Sequence, residues 1–193
     1  MKAIRAILTV LLVWSCTPAF LNKSDKSEEA LRNSNLALAA SLLSHSESYP
    51  AAFVYNNTVT PLANGASVFV TYNTVSYDTG NFFNTAASDR LTIPMDGVYF
   101  VQGWLAYQPN ASGSRKILLY ANTDAAGATG SLIATVVSPA SSAGEESVLE
   151  AQTVYRFVRG DYIKLRAYQS SGGSLNLTVS GYSQVLYARR ISN

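Results

Sequence analysis

Tyr77-Asp78-Thr79-Gly80-Asn81-Phe82-Phe83-Asn84, then Arg90-Leu91-Thr92-Ile93-Pro94-Met95-Asp96-Gly97-Val98-Tyr99-Phe100-Val101, then Gly103-Trp104-Leu105-Ala106-Tyr107 decide the fold class of this chain. Asp78-Thr79-Gly80 joins a short polar side chain to a glycine able to take positive φ, the chemistry of a tight turn. Pro94-Met95-Asp96-Gly97 repeats that chemistry between Leu91-Thr92-Ile93 and an aromatic, β-branched run, which is the grammar of antiparallel all-β structure. The run from Val98 to Tyr107 does not alternate between apolar and polar. Tyr99, Val101, Leu105 and Tyr107 share one face, Val98, Phe100 and Trp104 share the other, and neither face is polar enough to lie against water. A strand in a two-sheet sandwich gives one face to the core, so the second apolar face requires a further partner.

Working outward, Asn64-Gly65 opens a strand over Ala66–Tyr72. Further strands are predicted over Ser114–Asn122, Ser131–Val137, Val148–Phe157, Asp161–Tyr168, Ser174–Val179 and Tyr182–Ile191, punctuated by Gly, Pro, Asn and Ser. The stretch Asp161–Tyr168 alternates cleanly, placing Ile163, Leu165 and Ala167 in a core and Tyr162, Lys164, Arg166 and Tyr168 on the opposite face. Many short strands at this spacing form a β-sandwich.

The order Tyr77, Asp78, Thr79, Gly80, Phe82, Pro94, Gly97, Tyr99 resembles the globular head of the complement C1q and tumour-necrosis-factor-like family. A second block continues the resemblance: Val154, Phe157, Gly160-Asp161, Leu165, the run Gln169-Ser170-Ser171-Gly172-Gly173, and Tyr182-Ser183. Together they cover roughly Ser67 to Ile191. The chain departs from the animal pattern in having Val101 where Phe is usual and no collagen stalk, and is most similar to the stalkless C1q-like domains of bacteria and phages. The resemblance implies a jelly roll of two sheets, a threefold homotrimer with aromatic residues near its axis, and a structural role for Gly160-Asp161 at a hairpin. Tyr99, Trp104, Tyr107, Tyr168, Tyr182 and Tyr187 are the pool from which trimer contacts are drawn.

Composition and charge set the organisation. A chain of 193 residues is one domain with extensions, divided here into a signal segment (1–19), a tether or short helical neck (20–50) and the head (51–193). Basic residues 2 and 5 followed by the apolar run Ala6–Trp14 read as a secretory signal. Cys16, the single cysteine, stands where the apolar run stops; either it is acylated as a lipoprotein anchor or cleavage after Ala19 removes it. Both readings place the head outside the cytoplasm, without disulfides. Leu31, Leu38 and Leu42 fall on one helical face of the tether, and His45, the only histidine, lies in the same segment.

Charged residues make up 13% of the chain and the net charge is +2, with basic residues scattered along the strands; alternation points the members of Arg115-Lys116 and of Arg189-Arg190 to opposite faces, and both pairs read as solvated edge charge. That pattern excludes the electrostatic footprint of a nucleic-acid binder. Glu145-Glu146 with Asp124 is a calcium candidate short of the six to eight oxygens that ion takes; a solvated loop is the simpler account. No other cofactor is implied. A head without histidine, nucleophile motif or phosphate loop is not an enzyme. The expected function is a non-enzymatic recognition module binding a protein or glycan through the loops Tyr107–Ser114, Thr123–Gly130 and Ser138–Glu146, the alternative being a structural or receptor-binding component of a phage or particle fibre.

Overall fold

The computed structural model describes residues 49–193 apart from 125–128, 143, 180 and 182. The expectations for the signal segment, Cys16, the tether and Tyr182 lie outside the described residues. The strands are β1 (Ala51–Tyr55), β2 (Thr60–Leu62), β3 (Ser67–Phe69), β4 (Thr74–Asp78), β5 (Leu91–Thr92), β6 (Gly97–Tyr107), β7 (Ser114–Ala121), β8 (Ser131–Pro139), β9 (Ser147–Phe157), β10 (Tyr162–Gln169), β11 (Leu175–Leu177) and β12 (Gln184–Ser192). One 3-10 turn, Thr85–Ala87, is capped by the Asn84 side chain.

Two antiparallel sheets result. In the first, β6 is flanked by β9 on one side and β12 on the other, with β1 and β4 beyond β12; the short β11–β2 pair joins at Tyr107. In the second, β10 is central, β7 and β8 extend one side, and β3 and β5 share the other. Alternation then fills the sandwich: Tyr99, Val101, Leu105 and Tyr107 of β6 meet Ile117 and Leu119 of β7 and Ile163, Leu165 and Ala167 of β10 in one core.

The turn at Asp78 is held as the sequence motif requires, with one difference. Asp78 accepts three backbone N–H bonds, from Gly80 and Phe82 at 3.1 Å and from Phe83 at 2.9 Å, so one carboxylate fixes the whole corner. The positive φ expected at Gly80 is taken by Asn81 instead (59°). Gly80 is required by space: a Cβ there would lie 2.7 Å from Cβ of Pro50. At the second turn, Gly160 has a φ of 91°, and Asp161 bonds back to the Val158 N–H at 2.9 Å and across to Asn122, not onward along its own strand.

The β region begins at Ala51, not after Pro61 as expected; β1, β2 and β4 precede or follow the predicted first strand. A buried polar cluster ties these short strands in. Gln184, fully buried, accepts from Asn56 Nδ2 (3.2 Å) and Thr60 Oγ1 (2.7 Å) and donates to the carbonyls of Thr58 and Thr178 (2.8 and 3.0 Å). Every polar atom of that amide has a partner, so its burial carries no desolvation penalty left uncompensated.

Both chain ends of the head lie together. Arg190 N–H donates to the Pro50 carbonyl at 3.0 Å, and the Arg190 guanidinium lies over the Tyr49 ring.

Candidate functional site

The outward face of the first sheet is the feature that water does not account for. Register sets it out row by row, because residues opposite one another in a sheet share a face. Glu150, Trp104, Val185 and Tyr55 form one row; Gln152, Gln102, Tyr187, Phe53 and Tyr77 form the next; Val154, Phe100, Arg189 and Ala51 form a third. Phe53 stacks edge-on against Trp104 with centroids 5.6 Å apart and packs on Tyr77 at 6.0 Å, and Phe100 meets Tyr187 at 6.1 Å. Val185, between Trp104 and Tyr55 in its row, is fully buried although it stands outside the main core. Burial, and then the neighbouring Tyr187 hydroxyl, raise the Tyr77 phenol above its usual pKa against the pull of Arg189. The only hydrogen bond that crosses this face between β6 and β9 side chains among those described is short, Gln102 Nε2 to Glu150 Oε1 at 2.6 Å.

The pool of contact residues divides accordingly. Trp104 and Tyr187 belong to this outward face. Tyr99 and Tyr107 do not: both are fully buried in the core, their hydroxyls donating to the carbonyls of Met95 and Lys116 at 2.8 and 2.7 Å, so neither can meet another molecule. Tyr168 lies on the second sheet, beneath the Lys116 ammonium at 4.7 Å. Phe53, Tyr55 and Tyr77 were missed because β1 and β4 were not read as strands; the alternation of Phe53 and Tyr55 around a buried Val54 was the available signal.

The proposed loops do not form one group. Pairing of β7 with β8 runs from Ser114–Pro139 at one end to Ala121–Ser131 at the other, which puts Ser114 and Pro139, where the Tyr107–Ser114 and Ser138–Glu146 loops meet the strands, together, and Thr123, Asp124 and Gly130 of the third loop at the opposite end. The first two are joined directly, Ala140 N–H to the Gly113 carbonyl at 3.0 Å. That geometry overturns the calcium candidate, since Asp124 is separated from Glu145 and Glu146 by the length of an eight-residue strand, about 25 Å. Among the described residues no group of three acidic, His or Cys side chains is arranged to hold a metal ion.

Arg115 organises the paired loops. Its side chain is fully buried, not a solvated edge charge, and donates to the carbonyls of Asn110, Ser112 and Ser114 at 3.0 to 3.2 Å. Lys116 next to it points outward, as strand alternation demands. Arg189 is exposed on the aromatic face, whereas Arg190 turns back to the Asp96 carbonyl at 3.0 Å.

Solved structures share the arrangement of both sheets. Murine APRIL superposes with a TM-score of 0.58 at 10% identity, over 74% of this chain and 99% of that one. The globular domain of zebrafish complement 1qA protein gives 0.51 at 16% identity, over 75% and 99%. The fold is the C1q and tumour-necrosis-factor jelly roll. Eiger TNF from S. frugiperda matches this C1q/TNF-like head as well, at 0.51 and 14% identity over 75% of this chain and 94% of that one. No protein-family model and no curated protein sequence matches the chain. In this C1q/TNF-like head, no helix among the described residues is long and apolar enough to cross a membrane.

A second ionic feature stabilises the head. Lys164, with a side chain 2% exposed, pairs with Asp89 at 2.6 Å, and Arg90 holds the other carboxylate oxygen at 2.8 Å. Burial works to raise the Asp89 pKa, but the hydrogen bonds and charges of Arg90 and Lys164 outweigh it, so the carboxyl sits below its usual value. A folded-state pKa below the unfolded one contributes stability that is complete above about 3.9 and is lost as pH falls through the folded value. Denaturant titrations at descending pH should show the wild type losing stability in that acid window, and Asp89→Asn should lose less over it. Equal acid sensitivity of the two proteins would remove Asp89 as the cause.

Proposed function

We propose that the head is a non-enzymatic, extracytoplasmic recognition module that closes into a homotrimer through its aromatic sheet face and binds a protein or glycan at its loops. The observation that carries the assembly is the presence of two unlike apolar patches. One is the face built on Phe53, Trp104 and Tyr187. The other is the flank strand β8, at the edge of the second sheet, where Leu132 and Val136 are 49 and 37% exposed. A two-fold pair uses one patch twice, whereas a closed ring sets the face of one copy against a different patch of the next and needs both. The family resemblance gives the ring its order of three.

Burying one of these rings contributes about 1.5–3 kcal/mol by the area rule, repeated in each subunit. The loops 108–113 and 140–146 lie at the end of the sandwich opposite the paired termini, free to meet a ligand, and three copies of a weak contact gain affinity by avidity. The apolar N-terminal segment and a cysteine-free head support the extracytoplasmic reading. A head with no histidine supports the non-enzymatic one.

Residues Ser48–Asn193 form a compact unit with its own core, which makes them a fair sample for light scattering. The expected mass is three chains. Trp104→Glu on the face, or Leu132→Glu on the flank, should return one chain mass while keeping cooperative unfolding, since neither side chain belongs to the core. A wild-type monomer at micromolar concentration would reject the ring, and an intact Leu132→Glu trimer would reject the flank as its second patch.

A further inference from the structure

We infer that the outward face of the second sheet, on the other side of the sandwich from the aromatic face, is a binding surface for an anionic polysaccharide. The basic residues that read as scattered along the sequence converge here. Arg166 projects from β10 and Lys116 from β7 beside it, while Lys164 lies buried between them and Arg90, which reaches in from the turn before β5. Each cation is set over a ring: Arg90 over Tyr162 at 4.5 Å, Lys164 over Phe69 at 5.0 Å, Arg166 over Phe69 at 5.2 Å and Lys116 over Tyr168 at 4.7 Å. Such contacts fix the side chains in place without neutralising them.

Charge accounting then separates the four. Asp89 alone answers Arg90 and Lys164. Lys116 and Arg166 have no carboxylate within ion-pair distance among the described residues, and the Nε of Arg166 is a buried donor with no hydrogen-bond partner. Arg166 pairs in register with Leu118 while Lys116 pairs with Tyr168, so the two uncompensated cations are diagonal neighbours about 7 Å apart. Two fixed, unpaired positive charges on one sheet face favour a ligand that brings anionic groups in series.

The same geometry discriminates among polyanions. Single-stranded nucleic acid binds by stacking its bases on open ring faces, and the faces of Phe69, Tyr162 and Tyr168 are covered by the protein's own cations. Peptides are recognised by backbone pairing at a sheet edge, by apolar pockets or, when acidic, by clusters of arginines, and this sheet face offers a single unpaired arginine beside one lysine. An extended glycan bearing carboxylates or sulfates needs neither device; its anions meet guanidinium and ammonium groups by charge-assisted hydrogen bonds. The inference deepens the glycan branch of the proposed recognition role and moves its site from the loops to the sheet.

The test uses the full chain with dextran sulfate and polygalacturonate as probes, and neutral dextran, poly-glutamate and oligo-dT for comparison. Wild type should bind both anionic polysaccharides at low salt and release them as salt rises, and should ignore neutral dextran. The double variant K116Q/R166Q should bind about tenfold more weakly or worse, because two charge-assisted contacts are lost. Arg159→Gln, in the exposed turn after β9, should bind as wild type does. Light scattering of the same samples keeps the two ideas apart, since loss of binding with the oligomer intact concerns this face alone. Undiminished binding by K116Q/R166Q, no binding by wild type, or tighter binding of poly-glutamate or oligo-dT would overturn the inference.

Discussion

Replacing Asp89 by alanine is expected to destabilise the head by about 3 kcal/mol, whereas replacing Lys164, its partner, by methionine is expected to change stability by less than about 1 kcal/mol or to raise it. The asymmetry follows from where each charge sits. Lys164 is the buried member, with 2% of its side chain exposed against 26% for Asp89. Removing the carboxylate leaves a buried ammonium answered only by the faces of Phe69 and Tyr162, at 5.0 and 5.7 Å, which do not match an ion pair at 2.6 Å. Removing the ammonium leaves a carboxylate one quarter exposed that keeps Arg90, and puts an apolar chain of similar length against the rings of Phe69 and Tyr162. Urea unfolding of the two variants checks the contrast. Equal destabilisation by both would mean that the pair acts as a unit and that Lys164 contributes through its charge.

Gly113→Ala should be more damaging still, on the order of 4 kcal/mol or more, and should disorder the loop that Arg115 gathers. Gly113 has a φ of 73°, a left-handed conformation that costs any other residue strain. Space compounds this, because an added Cβ would lie 1.8 Å from the Ser170 carbonyl oxygen, far inside van der Waals contact with another backbone. Neither side can yield easily: Ser170 and Ser114 are tied by the Ser170 N–H to the Ser114 carbonyl and by the Ser114 N–H to Ser170 Oγ, both at 3.0 Å, and Gly113 itself accepts from Ala140. Gly172→Ala is the matched comparison, since Gly172 also has positive φ (89°) but nothing within 4 Å of the added atom, so only the strain of about 1 kcal/mol remains. Thermal unfolding of the two variants reports the difference. Similar midpoints would show that the loop opens to relieve the clash.

Much of the sandwich was legible because its long strands alternate or carry β-branched and aromatic runs. Residues 98–107, 114–122, 148–157 and 161–168 were placed within a residue or two of β6, β7, β9 and β10. The short strands β1, β2 and β4 were not, since three to five residues hold too little periodicity to stand out beside Pro50, Pro61 and the Asn-rich stretch between them. Parity along β6 showed that both faces were apolar but not which one the core would take. That choice depends on which neighbouring sheet exists, and it went to Tyr99 and Tyr107, leaving Trp104 outside. The cationic face was invisible for a different reason: Lys116 and Lys164 are 48 positions apart and Arg90 comes from a turn, so only the β7–β10 register and the fold of that turn bring them together.

The backbone bond between Pro50 and Arg190 has a practical meaning for anyone building with this head. A head whose residues 50 and 190 already touch can be re-spliced: taken alone, joined there by a short linker and opened at Gly172-Gly173, where both glycines have open space around them, it would keep the same two sheets in a new order of synthesis. In the unspliced head, cargo attached after Asn193 would sit beside Arg190 at the base of the sandwich, away from the loop at Gly113.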